Sequence, residues 1–247
     1  MKTLLLSLII SASAASTVVA QTSANPSISG AGAEQNLKEL LKMSPSSGSA
    51  QVFDDRYKGI KGTPFFADSW GKARINIGNT TYQDVLVKYN IVDNEVMYQT
   101  KDGKKYVLMP HQISSFVLTD SMSQKKSAFY KVPLLATVDS ELTNRFLVVL
   151  HEGAKSQFVL APQKKLMKAD FKGAYSAGRE YDEFVGNSCY YLILDETAVQ
   201  KVKLNKKTFL KALPAHQSKV EDFIKTNKID LDKEEGWAQA LAFYETL

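Results

Sequence analysis

Cysteine is almost missing from this chain: Cys189 is the only one in 247 residues. A lone cysteine excludes an intramolecular disulfide, so stability must come from packing. Histidine is nearly as scarce. His111, His151 and His216 lie far apart and lack the short pairing, i to i+2 through i+5, of most zinc sites. No metal and no cofactor is expected. Runs of like charge are missing too. The 31 basic and 26 acidic side chains are dispersed, for a formal net charge of +5. That pattern reads as a solvated surface, and nucleic acid is not an expected partner. After the first twenty residues no apolar run approaches the length of about 20 that a membrane helix needs. No transmembrane segment is expected in the mature chain.

Catalytic fingerprints are missing as well. There is no Gly-x-Ser-x-Gly elbow, no Walker loop and no Gly-x-Gly-x-x-Gly between a strand and a helix. Asp230-Leu231-Asp232 lacks the glycine and downstream glutamate of a calcium loop. Cys189 and His151 would suit a nucleophile and its base. Cys189, however, opens a strongly apolar run, where a lone cysteine behaves as a small buried hydrophobe. The adjacent acids Asp54-Asp55, Asp182-Glu183 and Glu234-Glu235 read as surface charge or helix-end bias. Asp182-Glu183 is the pair to mutate first.

What is present is core material: 44% hydrophobic and 10% aromatic residues. Four segments follow. Residues 1–20 read as a cleavable secretory signal, with Lys2, an apolar stretch Leu4 to Ile10 and Val18-Val19-Ala20 before Gln21. A periplasmic or secreted location is expected. Residues 21–51 are rich in Ser, Ala, Gly and Pro and read as a flexible leader. Leu37, Leu40 and Leu41 mark a possible short helix from Glu34 to Met43 within it. Residues 52–204 read as an antiparallel β domain, and 205–247 as a helical cap packed on the sheet.

The expected fold is α+β and mainly β. It is a curved antiparallel meander, an open sheet or partial barrel, closed by three short C-terminal helices. Val85, Val87, Tyr89 and Ile91 alternate with Asp84, Lys88 and Asn90, as a half-buried strand requires. Asp102-Gly103 between two apolar runs predicts a type I′ hairpin. Pro133 demotes Ala128 to Leu135 to an edge or bulge. Phe146 to Leu150 is continuously apolar, which suggests a central strand covered on both faces. Asn205 can cap a first C-terminal helix. Asp232, with Glu235 three residues on, has the spacing of a capping box for the last one.

Two aromatic groups are candidate ligand-binding residues. Phe65, Phe66 and Trp70 follow the Lys61-Gly62-Thr63-Pro64 turn, where rings either stack on sugars or close a sheet core. Phe171, Tyr175 and Tyr181 interleave with lysines in the excursion from Ala161 to Ser188. Interleaving of this kind can hold an anionic glycan. It is also the pattern of a partly ordered surface loop.

Lys61-Gly62-Thr63-Pro64, Lys88-Tyr89-Asn90 and His151-Glu152-Gly153 occur in that order. A tail follows with Leu204, Lys207, Phe223, Ile224, Asn227, Trp237 and Tyr244. In these the chain resembles an uncharacterised family of exported proteins of unknown function from Gram-negative bacteria. The resemblance spans roughly Phe53 to the end and implies export. It brings no activity and no catalytic residue. The expected function is therefore non-enzymatic: an envelope or secreted binding module for a partner protein, a glycan or an apolar ligand. The alternative is a hydrolase acting on cell-envelope polymers, with acids or His151 in a cleft.

Overall fold

The computed structural model describes residues 26–43, 57–170 and 178–247. The signal-like segment 1–20, residues 21–25, residues 44–56 with Asp54-Asp55, and Phe171 and Tyr175 lie outside them. In chain order the first elements are β1 (Ser27–Ser29), α1 (Gly30–Met43), β2 (Gly71–Ile77), β3 (Thr80–Asn90), β4 (Glu95–Gln99) and β5 (Lys105–Leu108). Then come β6 (Ile113–Thr119), β7 (Lys126–Tyr130), β8 (Leu147–Glu152), β9 (Ser156–Ala161), β10 (Lys164–Met167) and β11 (Glu183–Gly186). The chain finishes with β12 (Cys189–Leu194), β13 (Ala198–Val202), α2 (Lys206–Ala212), α3 (Gln217–Asn227) and α4 (Glu234–Tyr244).

One open sheet of eleven strands dominates, in the order β13-β12-β9-β8-β7-β6-β2-β3-β4-β5, with β1 beside β3. The pairs along this path are antiparallel, as expected. Two short meanders, β2 to β5 and β6 to β9, are joined by a return that sets β6 against β2. β1 runs parallel to β3 over Thr81 to Gln83, a contact with no signature in the sequence.

Alternation built β3. Val85, Val87 and Tyr89 are buried, while Asp84 is exposed. Asn90 departs from its expected solvent side and is fully buried. Its Oδ1 accepts from the amides of Val92 and Asp93, and its amide group donates to Asp93 Oδ2 at 2.8 Å. A short amide side chain can substitute for backbone in a turn in this way. The β4–β5 hairpin also differs from expectation. Gly103 alone has positive φ there, at 82°, and its amide donates to Thr100 carbonyl. The loop is a turn followed by a glycine bulge rather than type I′, because the connection is longer than two residues.

Tyr89, Phe116, Phe129 and Phe146 pack ring on ring, with centroids 4.4 to 5.8 Å apart. Each fully buried ring contributes roughly 1.5–3 kcal/mol. The run at β8 is covered on both sides. Val148 faces this inner core, whereas Leu147 joins Leu135, Leu142, Val159 and Tyr191 on the outer face. Pro133 does not lie in a strand. β7 ends at Tyr130, and Pro133 opens a 3-10 turn, Pro133–Thr137, that carries Leu135 onto the outer face.

Helices cover the inner face at both ends. α1 begins four residues before the predicted start and is docked rather than free: Ala33 and Leu37 are 0% exposed. The short helix allowed for within the leader has an apolar stripe that found a sheet face to cover. α2, α3 and α4 cover the other end around Trp237, which stacks on Phe158 at 5.1 Å and meets Phe209 edge-on. Asn205 caps α2 by accepting from the Thr208 amide at 2.8 Å. Asp232 does not cap α4. The cap position belongs to Lys233, without a side-chain bond, and Trp237 Nε1 ties the turn by donating to Leu231 carbonyl at 2.8 Å.

Candidate functional site

Between the two helical covers the inner face is hollowed, although Val148 and Leu160 there stay buried. A cleft of about 400 Å³ opens there, between β7, β8, β9 and the first turns of α4. Val148, Leu150 and Leu160 form its floor, with Phe66 on one wall and Ala238 on the other. Register explains the floor. Phe129, Val148, Leu160 and Tyr190 are cross-strand partners in one inner row. This row passes from the core under α1 to the core under α2–α4.

The rim is charged. Glu234 and Glu235 stand in the first turn of α4, where the helix dipole favours carboxylates. Lys125 Nζ lies 3.6 Å from Glu235 Oε1 and 3.9 Å from Glu234 Oε2. These pairs are solvent-exposed and contribute little to stability. Tyr190 donates to Glu234 Oε1 at 3.0 Å. Burial, and then the neighbouring Glu234, pushes the Tyr190 phenol up to about 12. Asp120 Oδ1 accepts from the Ser123 amide, the Ser123 hydroxyl and the Met122 amide. The Ser123 bonds foremost hold its carboxyl below the usual carboxylate range. Glu235 is held low by its own backbone amide and then by Lys125. Both shifts favour the ionised carboxylate, the form that cannot serve as a general acid. The arrangement suits holding an apolar body and orienting a polar end.

The predicted aromatic group separates. Phe66 turns inward, packs edge-on against Phe129 at 4.9 Å and lines the cleft. Phe65, its neighbour, makes an isolated bridge to Asn90 and has the Lys88 ammonium 4.1 Å over its ring. Trp70 is half-buried and does not line the cleft. Tyr181 is 46% exposed, with Lys61 5.2 Å over its ring.

Part of the excursion that carries Tyr181 is a two-stranded antiparallel ribbon, β10 with β11. Asp182 and Glu183 are structural there. Asp182 pairs with Lys168 at 2.9 Å and Glu183 with Lys61 at 3.2 Å. Lys164 is turned inward. Its Nζ donates to the carbonyls of Thr63 and Phe65 at 2.8 and 2.6 Å, and burial lowers its pKa.

His151 and Cys189 do not meet. His151 is the cross-strand partner of Phe158, which is paired with Leu192, three residues along β12 from Cys189. At strand spacing that is roughly 13 Å. His151 instead faces Glu245, with Nε2 3.7 Å from Oε1. Among the described residues no three His, Cys, Asp or Glu side chains gather as a metal site would need. No helix among them is long and apolar enough to cross a membrane.

Sequence reasoning missed Lys125 and Ala238 as cleft residues, and Tyr190 as the partner of Glu234 at the rim. The continuously apolar run at 146–150 pointed to a strand covered on both faces. Nothing in that run indicated that α4 would stop short of covering it. Comparison with protein-family models, with curated proteins and with solved structures finds no match.

Proposed function

We propose that the protein is an exported, non-enzymatic binding module that holds a small, largely apolar molecule in the cleft beside α4. The observation that carries this reading is the cleft itself: about 400 Å³ of space floored by Val148, Leu150 and Leu160, in the middle of the sheet. Concave sites with an apolar lining and a few convergent polar groups are the usual ligand sites. Here the polar groups are Lys125 and Glu234, the latter held by Tyr190, so the bound molecule carries a hydrogen-bonding or charged end. Export rests on the pattern of residues 1–20, and on the family resemblance of the chain from about Phe53 onward.

The test is a titration with the apolar fluorophore N-phenyl-1-naphthylamine. The full chain should enhance its emission saturably. Ala238→Phe fills the cleft from α4 and should weaken binding about tenfold or more. Equal binding by both proteins would remove the cleft from the account. Competition by candidate apolar molecules with cationic, anionic or neutral ends then defines the class.

A further inference from the structure

The outer face of the sheet is covered beneath β8, β9 and β12, and bare from β7 to β5. Register arranges the bare part. Lys126, Thr119, Lys72, Leu86, Gln99 and Lys105 are successive cross-strand partners, so their side chains share that face in one row. Arg74 stands two residues along β2 from Lys72, on the same side. At a strand spacing of about 4.8 Å, Lys126 and Lys72 are roughly 10 Å apart, and Lys72 and Lys105 roughly 14 Å. Lys72, Arg74, Lys105 and Lys126 make no ion pair among the described residues.

A bulge hollows this face. The β2–β3 register shifts between Ala73 and Ile75, and opposite Arg74 the backbone of Asp84 has a φ of 56°. The resulting depression is about 330 Å³, lined by Lys72, Arg74, Lys126, Gln83, Thr119 and one carboxylate, Asp84. Three cations against one anion leave it positive.

We propose that this face binds an anionic polysaccharide lying across the strands, with one acidic substituent seated in the depression between Lys72, Arg74 and Lys126. Charge complementarity supplies the attraction. The amides and hydroxyls between the cations, Gln83, Thr119 and Gln99, match sugar hydroxyls. A nucleic acid would need a platform of exposed rings, and Tyr130 is the one ring on the row beyond Arg74. A membrane would be met by exposed apolar side chains, and along the Lys126–Lys105 row Leu86 alone is one, at 36% exposure.

The experiment titrates the full chain with heparin, a sulfated polysaccharide, at low and at high salt. Binding should be measurable and weaken as salt rises. Lys72→Ala/Arg74→Ala should weaken it about tenfold or more, while Lys211→Ala/Lys219→Ala, which removes the same charge from the helical end, should not. Lys105→Ala/Lys126→Ala tests the rest of the row and should also weaken it. Lys72→Ala/Arg74→Ala and Lys211→Ala/Lys219→Ala should keep the naphthylamine response of the cleft, whose rim Lys126 also reaches. The proposal is overturned if heparin does not bind, or if the helical control loses as much affinity as the sheet variants. It is also overturned if phosphatidylglycerol vesicles or single-stranded DNA bind the same residues more tightly than heparin.

Discussion

The Ser156 hydroxyl donates to Glu245 Oε1 at 2.5 Å, across 89 residues of chain. Oε2 of the same carboxylate accepts from the Lys155 amide at 2.8 Å, and Lys155 Nζ returns to the Glu245 carbonyl at 3.2 Å. The residue after α4 is thereby latched to the β8–β9 turn. Gly153 makes room for it, because a side chain there would overlap the Glu245 carboxylate.

Glu245→Ala should cost about 2–3 kcal/mol, since hydrogen bonds to a charged group are lost and the Ser156 hydroxyl, 3% exposed, is left alone. The sign of the pH dependence follows. Burial acts to raise the Glu245 pKa, but the bonds from Ser156 and Lys155, with His151 nearby, outweigh it and the net shift is downward. The latch is therefore at full strength above the unfolded carboxyl value of about 4.3 and is lost as pH falls through the folded one. Urea unfolding of both proteins should show a stability gap that is constant near neutrality and shrinks in acid. A gap that widened in acid would refute the latch.

Gly236→Ala should be costly despite its small size. A methyl group there would overlap the carbonyl of Asp230, and the site is buried beside Trp237. Overpacking of this kind costs roughly 1–3 kcal/mol. A lower thermal midpoint, followed through tryptophan emission, is the expected reading. An unchanged midpoint would mean that the turn before α4 yields freely.

Leu37→Ala tests whether α1 belongs to the cooperative core. The side chain is 0% exposed against the β3 end of the sheet, and Tyr82 donates to Asn36 Oδ1 at 2.6 Å beside it. A loss of about 2–4 kcal/mol in global unfolding is expected, with hydrogen exchange showing α1 amides protected in the parent. If α1 exchanges at coil rates, its docking contributes nothing.

The two predicted helix caps should separate experimentally. Asn205→Ala removes the bond to the Thr208 amide and should cost about 1 kcal/mol. Asp232→Ala, whose side chain makes no cap bond, should fall within about 0.5 kcal/mol of the parent. Paired chemical denaturation curves decide this, and equal losses would restore Asp232 as a cap.

Much of the fold could be read because its cause is local. The two-residue period of Val85, Val87 and Tyr89, the double-sided run at 146–150 and the Asn205 cap each need only near neighbours to act. The readings that failed depended on distant partners. Asp232 has the spacing of a capping box, yet Trp237 reaching back to Leu231 holds that turn instead. Asn90 looked like a surface residue because nothing in its strand reveals the loop whose amides it satisfies. Phe65 and Phe66 looked like one aromatic cluster, yet Phe66 packs on Phe129 and Phe65 meets Lys88.

By itself, the sequence determined a disulfide-free, mainly antiparallel β protein with helices at its end, because hydrophobic period and turn chemistry act over a few residues. Tertiary structure alone decided that β6 returns to β2, that α1 covers one end of the inner face, and that α4 leaves a cleft over Leu150 and Leu160. Those outcomes depend on which apolar surfaces meet across long stretches of chain, and burial free energy is indifferent to sequence order.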